Sequence, residues 1–246
     1  MKRSCTFAVV LVLLLGGCMT NDFTEFYHDY TAGTPQSDLV RNLQPFSGTT
    51  QILPTNDLQK DTTEWLRRNY AVLGETAFAW NQAPQETELR AQARLVGADV
   101  VLYRTQVQVF STAAVPETNW TTESSLPAHR YAYDALFLRR RTAPVAGLGI
   151  ANLTDEMRQS LRKITGVTVR YVRYDSPASK AGFLDGDVII AINDVKVDSA
   201  TDYIAKALQA AGTECRFKVL RGGNEIVVPI KLNPVPALPT RASKPQ

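Results

Sequence analysis

The run Ser176-Pro-Ala-Ser-Lys-Ala-Gly-Phe-Leu-Asp-Gly-Asp-Val-Ile-Ile-Ala-Ile-Asn193 reads as a capped helix, a tight turn and a buried strand in immediate succession. Ser176 is an N-cap whose hydroxyl can accept from an orphan amide of the first turn, and Pro177 suits the first helical position. Gly182 supplies positive φ where that turn stops. Asp185-Gly186-Asp187 is turn chemistry, and Val188 to Ile192 is an apolar run short enough for a strand buried on both faces. Upstream, Gly147-Leu148-Gly149-Ile150 lets successive amides turn toward one point, as in an anion-binding nest. Thr154 to Arg162 reads as a short helix capped by Thr154. Val167, Val169 and Tyr171 alternate with Thr168 and Arg170 in the strand-like stretch from Gly166 to Tyr174, with Arg173 on the polar side. Downstream, Val195 and Val197 mark a short strand, and Ser199 caps a helix from Ala200 to Ala211 that Gly212 stops. Arg216 to Leu220 and Glu225 to Leu232 form a hairpin around Arg221-Gly222-Gly223-Asn224.

In this order the segments from Pro144 to Asn233 resemble the PDZ domain, especially the PDZ domains of bacterial envelope proteins such as the high-temperature-requirement serine proteases. The fold class this implies is α+β: a C-terminal PDZ β-sandwich with two flanking helices, preceded by a small α/β domain. The resemblance also implies a peptide groove. An extended peptide would add as a strand beside Gly147, Leu148, Gly149 and Ile150, its carboxylate meeting the amides of Leu148, Gly149 and Ile150. Leu148 and Ile150 would wall the pocket for the terminal side chain. Aligning the second helix puts Thr201, Ala205 and Leu208 toward the groove and Ile204 on the core side. Two positions depart from the family pattern. Ala143 stands where many members carry a basic residue, with Arg141 the nearest arginine, and Thr201 stands where many carry His. Free C-termini, internal segments and a structural domain without a peptide ligand all stay open.

The N-terminus reads as an address. Lys2 and Arg3 precede an apolar run from Phe7 to Leu15, the pattern of a secretory signal too short for a spanning helix. Leu15-Gly16-Gly17-Cys18 resembles the bacterial lipoprotein box, which implies cleavage before Cys18 and its lipidation. Several acyl chains make a lasting anchor, each buried CH₂ contributing roughly 0.8 kcal/mol. Met19 in place of Asp leans toward the outer membrane, with the protein facing the periplasm.

The divisions expected are a leader over 1–17, a tether or irregular segment over 18–62, an α/β domain over 63–142, the PDZ domain over 143–233 and a disordered tail over 234–246. Phe23, Phe26, Tyr27 and Tyr30 belong either to the tether or to a segment docked on the body. Strands are expected over Tyr70–Trp80, Asp99–Phe110 and His129–Leu138, with a helix over Pro84–Val96. Arg139-Arg140-Arg141 reads as a solvated strand end.

The chain carries 27 basic and 24 acidic residues, and loss of Lys2 and Arg3 with the leader leaves 25 against 24, a balance with no nucleic-acid footprint. With Cys5 lost and Cys18 lipidated, Cys215 remains as a buried thiol, and no disulfide framework is possible. His28 and His129 lie in none of the familiar hydrolase or metal motifs, and no metal or cofactor is expected. The chain therefore reads as a non-enzymatic, lipid-anchored envelope protein whose PDZ module binds peptide segments or C-termini of another envelope protein, an adaptor or scaffold. The alternative is an envelope peptidase with an unrecognised Ser-Lys dyad.

Overall fold

A computed structural model describes residues 21–31, 43–80, 85–110, 128–162 and 165–236. The chain is α+β and builds two sheets. The first is formed by β1 (Tyr27–Asp29), β2 (Gln51–Pro54), β3 (Tyr70–Trp80), β4 (Val100–Phe110) and β5 (Ala128–Arg140), in the order β1-β3-β5-β4-β2. Only β2 and β4 pair in parallel within it.

Both faces of this sheet are covered, which is why β4 opens on a continuous apolar run rather than an alternating one. Val101 and Phe137 point to one face and pack with Leu89 and Ala93 of α3 (Glu86–Val96) and with Phe23 of α1 (Asp22–Glu25). Val100, Leu102 and Leu138 point to the other and pack with Leu58 and Trp65 of α2 (Leu58–Arg67). The strand-helix-strand-strand unit read from Tyr70 onward is thus the centre of a larger sheet.

Of the two readings left open for Phe23, Phe26, Tyr27 and Tyr30, tether or docked segment, the described residues 21–31 take the docked arrangement. Asn21 caps α1 and its Nδ2 donates to Glu88 O at 2.9 Å. Thr24 Oγ1 donates to Gln92 Oε1 at 2.7 Å, and Thr76 Oγ1 to Phe23 O at 3.0 Å. Phe23 is 3% exposed and meets the Phe78 ring edge-on at 5.1 Å. The aromatic residues are what dock this segment, because burying them outweighs the entropy of ordering so short a piece. Residues 51–62 likewise supply β2 and the start of α2. The leader, Cys18 and residues 237–246 lie outside the described residues.

The second sheet is antiparallel throughout, ordered β11-β10-β8-β7-β6, with β9 beside β8. Its strands are β6 (Leu148–Asn152), β7 (Val167–Val172), β8 (Val188–Ile192), β9 (Val195–Lys196), β10 (Glu214–Arg221) and β11 (Asn224–Lys231). Helix α4 (Asp155–Leu161) is inserted between β6 and β7, while α5 (Pro177–Lys180) and α6 (Ala200–Gln209) flank the sheet. Ser176 Oγ accepts from Ser179 N at 3.1 Å, so α5 starts where its cap chemistry says it should. Phe183, Ile189, Phe217, Tyr203 and Ala207 share the core, with buried Cys215 at its margin.

The two sheets are stitched at the end of α2. Arg67 pairs with Asp185 and reaches Val172 O, and Arg67 O accepts from Tyr174 N at 2.8 Å. Tyr174 Oη donates to Glu64 Oε2 at 3.0 Å. Asp185, read in the sequence as a turn residue, is therefore a contact between the halves. The three arginines read as a solvated strand end also have partners: Arg139 lies over Phe46, Arg140 over Tyr70, and Arg141 N donates to Asn69 O.

Candidate functional site

Among the described residues, strand β6 is the edge of the second sheet, hydrogen-bonded to β7 on one side only. An edge strand leaves alternate amides and carbonyls for a further strand. Between β6 and α6 runs a cleft of about 280 Å³. Its walls are Leu148 and Ile150 from β6, Ile204, Ala207 and Leu208 from α6, and the segment from Arg141 to Gly147.

Two glycines shape the β6 side. Gly147 has φ +88°, and a Cβ there would fall 2.1 Å from Ser176 Cβ, so any side chain would push the loop off the α5 cap. A Cβ on Gly149 would fall 2.3 Å from the Tyr171 ring, which packs across the strand at this point. The glycines read from the sequence as a nest thus also act as close-approach points.

On the other wall, Ser199 Oγ caps α6 by accepting from Asp202 N at 3.2 Å, and Asn152 Oδ1 accepts from Ala200 N at 2.7 Å, which fixes the helix to the end of β6. Asp202 pairs with Lys206 one turn on, and that bond holds its carboxyl below the usual carboxylate range. Tyr203 and Ala207 turn inward, Tyr203 facing the Phe217 ring at 6.3 Å.

Of the residues named from the sequence, Gly147, Leu148, Ile150 and Leu208 line the cleft together, while Gly149 lies in β6 without lining it. Thr201 and Ala205 are exposed and outside the lining. Ile204, expected on the core side, is 42% exposed and lines the cleft with Leu208. The reason is that Tyr203 and Ala207 fill the core, which turns the face read as groove-facing partly toward solvent. The tail expected from residue 234 enters as well. Asn233 Nδ2 donates to Pro144 O at 2.8 Å, and Pro236 stands in the cleft wall.

The sequence reading also missed two polar groups at the floor. Arg173 follows β7, and its amide donates to Gly147 O at 2.8 Å, beside the glycine loop. Its side chain folds back over the Tyr171 ring at 5.8 Å and lines the cleft, leaving the residue only 9% exposed. Tyr203 Oη lies nearby; burial pushes its phenol up, with the Arg173 charge pulling the other way. Nothing in the alternation of β7 signals Arg173, because the residue stands just beyond the strand. Among the described residues no cluster of His, Cys, Asp and Glu fits a metal ion, and no helix is long and apolar enough to cross a membrane.

The sequence profile of the PDZ domain matches residues 144–232. A probable periplasmic serine endoprotease, DegP-like, of Pseudomonas fulva (strain 12-X) is 33% identical over 101 residues, 40% of this chain and 21% of the relative. Its counterpart in Chlamydia muridarum is 37% identical over 78 residues, 31% of this chain and 16% of the relative. The chain thus spans about a fifth of the length of these curated relatives. Among solved structures, the HtrA3 PDZ domain bound to a phage-derived ligand aligns at 20% identity and a TM-score of 0.33, covering 36% of this chain and 83% of that one. The HtrA-type protease AlgW with a decapeptide aligns at 21% identity and a TM-score of 0.34, covering 42% and 38%. Residues 144–232 of this chain are a PDZ domain, homologous to those of the DegP-like proteases.

Proposed function

We propose that this chain is a lipid-anchored envelope protein whose PDZ domain binds extended segments or C-termini of a partner protein, in an adaptor or scaffold role. The observation that carries this reading is the unpaired edge of β6 facing the apolar wall of α6. A peptide strand laid there gains main-chain hydrogen bonds from β6, while its side chains enter the space between Leu148, Ile150, Ile204 and Leu208. Exposed Ile204 and Leu208 cost solvation in the free protein and are the kind of surface a ligand covers. The amides of Leu148, Gly149 and Ile150 are the proposed partners of a terminal carboxylate. The division of the chain into an α/β domain and the PDZ domain falls between β5 and β6, by this reading.

Anchoring at Cys18 rests on the Leu15-Gly16-Gly17-Cys18 motif, and a periplasm-facing location is in keeping with the names of the DegP-like relatives. Placement on the outer membrane rests on Met19. No observation in the described residues favours a peptidase.

One preparation tests both parts. Extracted from bacterial membranes, the chain should carry acyl mass that Cys18→Ala lacks, and it should bind labelled peptides ending in an apolar residue with a saturable rise in anisotropy. Equal mass and membrane retention in Cys18→Ala would remove the anchor. A flat anisotropy response across a panel of such peptides would remove the peptide groove.

A further inference from the structure

Toward the Trp80 end of β3, the first sheet carries a row of aromatic side chains on the face that also receives α1. Phe26 stacks on Phe78 at 5.6 Å between ring centroids, Phe78 on Tyr133 at 5.4 Å, and Tyr133 on Tyr131 at 6.3 Å. Trp80 and Val107 are the partners of Tyr131 on its two sides. Phe78 and Tyr133 lie against the core, but the outer members are open to water: Phe26 is 44% exposed, Trp80 46% and Val107 56%. Exposed apolar side chains gathered on one face are the kind of surface a partner covers. The position of Cys18, the proposed anchor, says what covers this one. Only Met19 and Thr20 separate it from Asn21, the cap of α1, and so short a piece of chain spans at most about 10 Å. Phe26 closes the same short helix, its amide donating to Asp22 O at 3.0 Å. Whatever surface holds Cys18 therefore comes close to the aromatic row.

We infer that this row is a membrane-facing surface, in which Phe26, Trp80 and Tyr131 settle into the headgroup boundary of the bilayer that holds the acyl chains of Cys18. The inference rests on the lipid-anchor reading and goes beyond it: the acyl chains give retention, and the aromatic row gives orientation. A lipid on one residue keeps the protein at the membrane but leaves it free to swivel about that residue. A second, noncovalent contact removes this freedom. That contact can be weak, because the anchor makes it intramolecular and supplies a high effective concentration. Trp and Tyr suit the boundary, since the ring buries apolar area while its N–H or O–H stays with water and headgroups. The attraction is apolar rather than ionic, because the charged residues of α1, Asp22 and Glu25, are both acidic. The row therefore requires no anionic lipid. The first sheet thereby gains a task separate from that of the peptide cleft on the second.

The test uses the full chain extracted from bacterial membranes and reconstituted into phosphatidylcholine vesicles whose acyl chains are brominated near the headgroup. Bromine quenches tryptophan only at close range, and comparison with Trp80→Phe separates Trp80 from Trp65 and Trp120. The unaltered chain should lose emission to the bromine, and Trp80→Phe should abolish that quenched component. Phe26→Glu, which sets a charge at the boundary, should lower it several-fold. Trp80 and Phe26 are both exposed, so neither variant opens the core. Mass spectrometry of the same preparation decides the anchor independently. Acyl mass on Cys18 with equal quenching in the unaltered chain and in Trp80→Phe overturns the membrane face and leaves the anchor standing. No acyl mass on Cys18 removes the anchor, and the membrane face falls with it. A blue shift of Trp80 emission that grows with protein density and resists bromine assigns the row to a second copy of the chain, and overturns the lipid assignment.

Discussion

Asp187 is 2% exposed and accepts from Arg221 in bidentate fashion, Nε to Oδ1 at 2.8 Å and Nη2 to Oδ2 at 2.7 Å. Its Oδ2 also accepts from Leu184 N at 2.9 Å, and Arg221 Nη2 bonds Gly182 O, so one ion pair holds the α5–β8 turn against β10. Removing one member of such a pair leaves the other uncompensated, so Asp187→Ala should cost about 3 kcal/mol, at the low end for a buried pair because Arg221 is partly exposed. Thermal or denaturant unfolding measures it, and a loss below about 1 kcal/mol would mean that the turn, not the pair, fixes Asp187. The sequence made the turn legible through Asp185-Gly186-Asp187, but not the pair. Local turn chemistry is visible in neighbouring residues, whereas the partner arginine lies 34 positions on. Arg173 was hidden for the same kind of reason. Its long side chain bends back over the Tyr171 ring, and no periodicity records a bend of that sort.

Helix α6 shows how an element can be located from sequence while its rotation is misjudged. Its cap at Ser199, its length and its stop near Gly212 were all legible, because capping and glycine act locally. Rotation depends on which apolar residues win the core. Tyr203 and Ala207 win it here by fitting against Phe217, and Ile204 turns outward with Leu208. A charge introduced on the cleft wall should therefore discriminate. Ile204→Glu and Leu208→Glu should each lower peptide affinity by about tenfold or more while the protein stays folded, since an unpaired charge against an apolar ligand costs on the order of 1–3 kcal/mol. Ala205→Glu, on the exposed flank, should bind as the unaltered chain does. Anisotropy titrations of the three variants measure this, and a loss confined to Ala205→Glu would restore the rotation read from the sequence. The N-terminal segment presents a related case. Phe23, Phe26, Tyr27 and Tyr30 were visible as aromatic residues, but whether 21–31 docks depended on the receiving surface of α3 and β3, which only the fold assembles.

At the scale of the whole molecule, the PDZ domain is joined to the first sheet through Arg67–Asp185, Glu64–Tyr174 and the Asn69 contacts to Arg141 and Thr142. The same connecting segment, Arg141 to Gly147, then forms one wall of the cleft. The domain's fold was legible because its signature run is contiguous and rich in caps and turns. The first sheet was legible only in its central strands, since β1 and β2 are short and acquire meaning only by pairing across 45 or more residues. That pairing joins Asp29 to Gly74 and Gln51 to Val100. By the proposed function, ligand enters between β6 and α6, away from the first sheet. Amide chemical-shift mapping of the labelled protein, titrated with a peptide ending in valine and a free carboxylate, tests this most directly. Saturable shifts concentrated at residues 147–152, at Arg173 and at 203–208 are predicted. Shifts centred on the first sheet, or none at a peptide concentration that saturates anisotropy, would contradict it.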